Sequence, residues 1–122
     1  PAERHRLGAE YTPREFIERL IRPTVEEPVR ERWTAVQAEV LQLAGTGKKK
    51  DRETAEQRLR DFLAWMRGLR VLDPACGSGN FLYVTMHLLK DIEHEAVQEL
   101  TTLTGAPELR MDEIGPWNFL GI

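Results

Sequence analysis

Cysteine is nearly absent. Cys76 is the one thiol in 122 residues, which excludes an internal disulfide framework and fits a reducing compartment such as the cytoplasm. No apolar run approaches the roughly 20 residues that span a bilayer, so no membrane partner is expected. A basic start followed by an apolar core is also lacking, and no signal peptide is expected. The three histidines, His5, His87 and His94, share no ligand spacing with one another or with Cys76, so no metal site is expected. Excess positive charge is missing too. The formal net charge is −3, whereas a surface that grips duplex DNA by itself is basic, because phosphate neutralisation dominates such affinity. What remains is ordinary: 41% hydrophobic and 30% charged residues, enough to bury one small core.

The periodicity is mostly helical. Residues 1–10 carry no regular pattern and are expected to form a loose arm. Thr12 and Pro13 make a helix start, with the threonine as N-cap, proline at the first position and Glu15 completing a capping box. Phe16, Ile17, Leu20 and Ile21 follow at helical spacing. Pro23 should end or kink this helix. A second helix is predicted over Val25–Trp33 and a third over Ala35–Leu43. Gly45-Thr46-Gly47 with Lys48, Lys49 and Lys50 reads as a solvated loop; on charge alone the alternative is a contact with nucleic acid. From Glu53 an amphipathic helix places Ala55, Leu59, Phe62, Leu63 and Met66 on one face, and Gly68 stops it.

There the period changes. Leu69–Leu72 is a short β-type run, followed by Asp73 and a glycine-rich turn. The longest helical pattern then covers Asn80–Leu103, with Leu82, Met86, Leu89, Glu93, Ala96 and Leu100 in step, and Gly105 and Pro107 close it. Trp117–Ile122 is predicted as a second short strand. Strand, turn, helix and strand suggest an α/β fold class: a mostly helical chain carrying the first β-α-β unit of a parallel, Rossmann-like sheet. Residues 1–68 would form a helical N-terminal region and 69–122 the incomplete start of the sheet domain. The open edge of so short a sheet invites pairing with a second copy, so a homodimer through that edge is an expectation. Trp33 and Trp65 are expected to be packing anchors, and Trp117 to lie exposed beside the unfinished sheet.

Chemistry concentrates in Val71–Leu82. At the carboxyl end of a parallel strand, a turn rich in glycine lets backbone approach a ligand, and the next helix aims free N–H groups at it. Phosphate would suit that place. Yet Asp73 stands at the mouth of the turn and no P-loop lysine follows. A carboxylate there favours a nucleoside bearing a cation, and S-adenosyl-L-methionine, with its α-ammonium, answers that description. Cys76 is expected to be a small buried thiol, as no histidine neighbours it in sequence.

The ordered string Asp73, Pro74, Ala75, Cys76, Gly77, Ser78, Gly79, Asn80 and Phe81 resembles the first cofactor motif of adenine-N6 DNA methyltransferases whose cofactor-binding half precedes the catalytic half. Gly8-Ala9-Glu10-Tyr11-Thr12-Pro13, leading into Phe16–Ile21, is similar to the N-terminal motif that closes over the methionine end of the cofactor in single-chain restriction–modification and phage-defence enzymes. The resemblance covers most of residues 8–100. It implies that Asp73 holds the methionine ammonium and that the backbone from Ala75 to Gly79 lines the cofactor. It also implies that Asn80 and Phe81 shape the pocket, and that Tyr11 and Thr12 approach from the other side, Thr12 toward the carboxylate. DNA would be the partner of the full-length protein.

Two departures stand out. The resembled enzymes end their second strand on an acid that binds the ribose hydroxyls, and no acid follows Phe119-Leu120-Gly121-Ile122. They also use an Asn/Asp-Pro-Pro-aromatic loop against the flipped adenine. No such tetrapeptide occurs here; Pro116-Trp117-Asn118-Phe119 has the letters in another order. The segment by itself is therefore expected to supply part of the cofactor pocket and to be inactive. The alternatives are a methyltransferase acting on RNA or protein, and a helical interaction module that keeps a degenerate cofactor turn.

Overall fold

A computed structural model describes residues 14–73, 80–107 and 113–121. Helix α1 runs Arg14–Ile21. Pro23 has no amide hydrogen to continue the i→i−4 ladder, and the chain answers by widening rather than stopping: Arg22–Glu26 form one π-helical turn. The Thr24 hydroxyl donates to the Leu20 carbonyl at 2.7 Å, giving that oxygen a partner inside the irregular turn. The expected capping box falls on Thr12, outside the described residues. Helix α2 then occupies Glu27–Gly45. The two helices predicted over Val25–Trp33 and Ala35–Leu43 are thus one, because Thr34 between them is neither glycine nor proline and Trp33 is locked in the core.

Thr46–Lys48 turn the chain, with Gly47 at φ 70°, a left-handed conformation that suits glycine. The Thr46 hydroxyl sits 2.7 Å from an Asp51 oxygen and accepts the Lys48 amide at 3.2 Å. Helix α3 spans Lys49–Arg67, so two of the three lysines lie in its first turn rather than in a loop. Its buried face is Ala55, Leu59, Phe62, Leu63 and Met66, the five residues the spacing selects. Helix α4 spans Asn80–Thr104 and ends where Gly105 takes φ 75°.

These helices enclose one main core. Trp33, 1% exposed, stacks on Phe62 with ring centroids 5.0 Å apart. Leu89, Ile92, Ala96, Val97 and Leu100 of α4 fill the opposite side. Trp65 is half-buried and carries the Arg32 guanidinium 4.0 Å above its ring, a cation–π contact. Both tryptophans therefore pack. Around the rim, Arg30 pairs with Glu95 at 2.6 Å and the Gln37 amide donates to Glu99 at 2.9 Å, tying α2 to α4.

The expected α/β fold class is corrected. Strand β1 is Val71–Asp73 and β2 is Phe119–Gly121, preceded by a 3₁₀ turn at Pro116–Asn118. They pair in parallel, Val71 with Phe119, Leu72 with Leu120 and Asp73 with Gly121. Three residues a strand make a short ladder on the side of a helical assembly. No Rossmann-like sheet, and no β-α-β unit of one, is present among the described residues. A parallel sheet needs more strands and cover on both faces, whereas Leu72 is 56% exposed. An edge this short gives the homodimer expected through it little support. No helix among the described residues is long and apolar enough to cross a membrane.

Leu59 is fully buried and Leu41 is 76% exposed. Leu59→Ala should therefore lower unfolding stability by about 2–5 kcal/mol, and Leu41→Ala by no more than about 0.5 kcal/mol. Urea unfolding followed by helical circular dichroism measures both; equal midpoints would contradict this core.

Candidate functional site

The candidate site lies where β1 ends and α4 begins. Asp73 is the last residue of β1 and Asn80 the first of α4, so the glycine-rich turn joins two placed elements. Pro74, Ala75, Cys76, Gly77, Ser78 and Gly79 lie outside the described residues, as do Tyr11 and Thr12. Phe81 is described and half-buried. It packs in a second small apolar cluster with Ile21, 0% exposed, Val84, 2% exposed, and the flanking Val25 and Leu88. This cluster seats the end of α1 and the π turn on the first turns of α4. The buried Thr85 hydroxyl donates to the Phe81 carbonyl at 2.8 Å, so it brings no unmet polar group into the contact. Helix α1, which starts two residues after Thr12, thus packs on the helix that starts one residue after Gly79.

Behind the strands sits a polar anchor that the spacing of residues did not announce. Glu93 is on the apolar face of α4 and only 5% exposed. The Arg67 Nε donates to it at 2.9 Å from the last turn of α3, and the Ile114 amide donates to the same Oε2 at 3.0 Å. A buried carboxylate is tolerated only with such partners. Lys90 adds a third tie, its ammonium donating to the Ile114 carbonyl at 2.9 Å while facing Glu113 at 3.6 Å. The Arg67 Nη2 is buried without a hydrogen-bond partner among the described residues.

Asn118, 1% exposed, completes the anchor. Its Nδ2 donates to the Arg67 carbonyl at 2.9 Å and to the Leu69 carbonyl at 2.7 Å. Its Oδ1 accepts the Gly115 amide at 3.0 Å. One side chain thereby joins the approach to β2 with the approach to β1. In the sequence Glu93 stands in step with apolar neighbours, and Asn118 is one letter of Pro116-Trp117-Asn118-Phe119. The signal was there for Glu93, an acid on an apolar helical face; Asn118 offered none.

His87 is half-buried in α4, with its ring against Tyr83 in an edge-on contact at 4.4 Å, and His94 is exposed. Lys48, Lys49 and Lys50 are exposed, and Lys49 faces Glu53 at 4.0 Å. That elbow lies at the start of α3, while the strands follow its other end.

The family model described as MmeI, DNA-methyltransferase domain, matches residues 48–122, from the residue before α3 through the strands and the anchor. No curated protein and no solved structure matches the chain.

Removing one partner of a buried ion pair strands the other. Glu93→Ala should cost about 3–5 kcal/mol of stability. Glu39→Ala breaks the pair with Arg58, whose side chains are 45% and 52% exposed, and should cost about 0–1 kcal/mol. Equal losses in chemical unfolding would show that Glu93 is not buried as described.

Proposed function

We propose that this chain, which belongs to the family of the MmeI DNA-methyltransferase domain, holds S-adenosyl-L-methionine for transfer of a methyl group to adenine N6 in DNA. The observation that carries this reading is a convergence. Helix α1, continuing from Tyr11 and Thr12, is seated by Ile21 on Val84 and Phe81 of α4, and α4 is the helix that continues from the Asp73–Gly79 turn. The two helices, far apart in sequence, are thereby held against each other, which supports bringing the segments they continue from to one cofactor.

The chemistry of the available groups fits the cofactor. Asp73 gives a carboxylate at a strand tip, suited to an α-ammonium and unsuited to phosphate. Backbone from Ala75 to Gly79 would lie along the nucleoside, where glycine permits close approach. Asn80 and Phe81 would border it, Phe81 from its seat in the apolar cluster. Thr12 would donate its hydroxyl to the methionine carboxylate, with Tyr11 beside it. When bound, the cofactor supplies an electrophilic methyl on a sulfonium. These residues bind and orient; an Asn/Asp-Pro-Pro-aromatic loop that would accept the adenine amino hydrogens is not among them. In this reading residues 1–68 form the helical region whose N-terminal motif closes over the methionine end, and 69–122 carry the cofactor turn.

Equilibrium dialysis of labelled S-adenosyl-L-methionine against the full-length protein tests the site. A lost charge-assisted hydrogen bond is worth about 1.5–3 kcal/mol, so Asp73→Ala should weaken binding about 10- to 100-fold. Absence of binding by the unaltered protein would overturn the cofactor reading. Nucleoside analysis of DNA treated with methyl-labelled cofactor should place the label in N6-methyladenine; label in cytosine, RNA or protein would overturn the choice of acceptor.

A further inference from the structure

We infer that Asn118 is a register pin for the strand ladder and, through it, a positioning residue for the cofactor end of β1. This rests on the cofactor reading above for its functional part and on geometry alone for its structural part. The first ladder pair is Val71 with Phe119. Asn118 immediately precedes that pair on one strand, and its Nδ2 reaches the carbonyl of Leu69, two residues before Val71, at 2.7 Å. A second bond from the same nitrogen reaches the Arg67 carbonyl at 2.9 Å, and Oδ1 takes the Gly115 amide at 3.0 Å. The side chain is thus a rung laid below the ladder, between the two entering segments.

A ladder of three residues does not hold its own register. A slip of one residue would turn each side chain of β2 to the opposite face, and so few backbone bonds offer little resistance. The entering segment is fixed independently by Glu93, which accepts the Ile114 amide and holds Arg67. Three residues lie between Ile114 and Asn118, so the carboxylate sets where the segment starts and the amide sets where it pairs. At the far end of the ladder this register puts Gly121 beside Asp73. A glycine in that position adds no side chain opposite Asp73, whereas a slip would bring Leu120 or Ile122 into that pairing position.

Amide hydrogen exchange and cofactor dialysis on the full-length protein test both halves. The variants are Asn118→Ala, Glu93→Gln as a volume-preserving second variant, and Leu59→Ala as a core variant remote from the ladder. Asn118→Ala is expected to raise exchange at Leu72, Asp73, Leu120 and Gly121 at least tenfold while amides in the middle of α3 and α4 stay protected. Cofactor affinity should fall at least tenfold in the folded protein. Should Asn118→Ala fail to fold, Glu93→Gln is expected to show the same pattern more weakly. Leu59→Ala should lower the melting temperature yet leave affinity within about twofold. Unchanged ladder exchange in a folded Asn118→Ala protein overturns the pin. Raised exchange with unchanged affinity overturns the positioning role, as does an equal loss of affinity in Leu59→Ala. If the unaltered protein binds no cofactor, the cofactor reading and the positioning role fall together, and exchange still decides the pin.

Discussion

A carboxylate placed inside an apolar helix face has to find a cation and hydrogen-bond donors, or it will not be buried. Glu93 is that carboxylate. Its oxygen brings together three parts of the chain: α4, which carries it; the last turn of α3, through Arg67; and the backbone at Ile114. Once those are joined, Gly115–Asn118 lies against the exit of α3, and the Asn118 amide can bridge the two carbonyls there. The parallel pairing of β1 and β2 follows from this arrangement more than from any strength of its own. Buried ion pairs are weak contributors to net stability and better at fixing one geometry over its neighbours. That is the part this one plays beside so short a ladder.

The other end of α4 is organised by apolar contact. Pro23 breaks the regular helical ladder, and the end of α1 and the resulting π turn present Ile21 and Val25 to Val84 and Phe81. The π turn is where an interrupted helix, rather than a terminated one, keeps two segments together. Family membership covers part of this arrangement: β1 and α4 both lie within the region matched to the DNA-methyltransferase domain. The matched region begins at residue 48, so α3, the anchor and both strands fall within it, while α1 and α2 precede it.

Net charge and exposed lysines do not by themselves make a DNA-gripping face. The lysine elbow precedes α3, whereas Asp73 follows the opposite end of that helix, with 19 helical residues between. A helix of that length is about 28 Å long. Phosphate contacts at the elbow, if made, would therefore be made far from the strand tip. The mild acidity of the chain does not make a face that grips a duplex by charge.

Residue spacing alone determined the buried face of α3, the span of α4, the stop at Gly105 and the packing of Trp33 and Trp65, because helical periodicity and glycine chemistry are local. The motif from Asp73 to Phe81 was likewise legible, since its order of residue types is written in one stretch. The fold class was not. A β-type run and a glycine turn suggested an α/β sheet, but three residues on each strand gather less buried area than three helices closing on Trp33 and Phe62. Nor could a linear pattern show that Thr34 would be passed over, that Pro23 would widen a turn instead of ending a helix, or that Asn118 would reach Leu69. Those outcomes depend on contacts between residues far apart in the chain, and only the folded arrangement brings such residues within hydrogen-bonding distance.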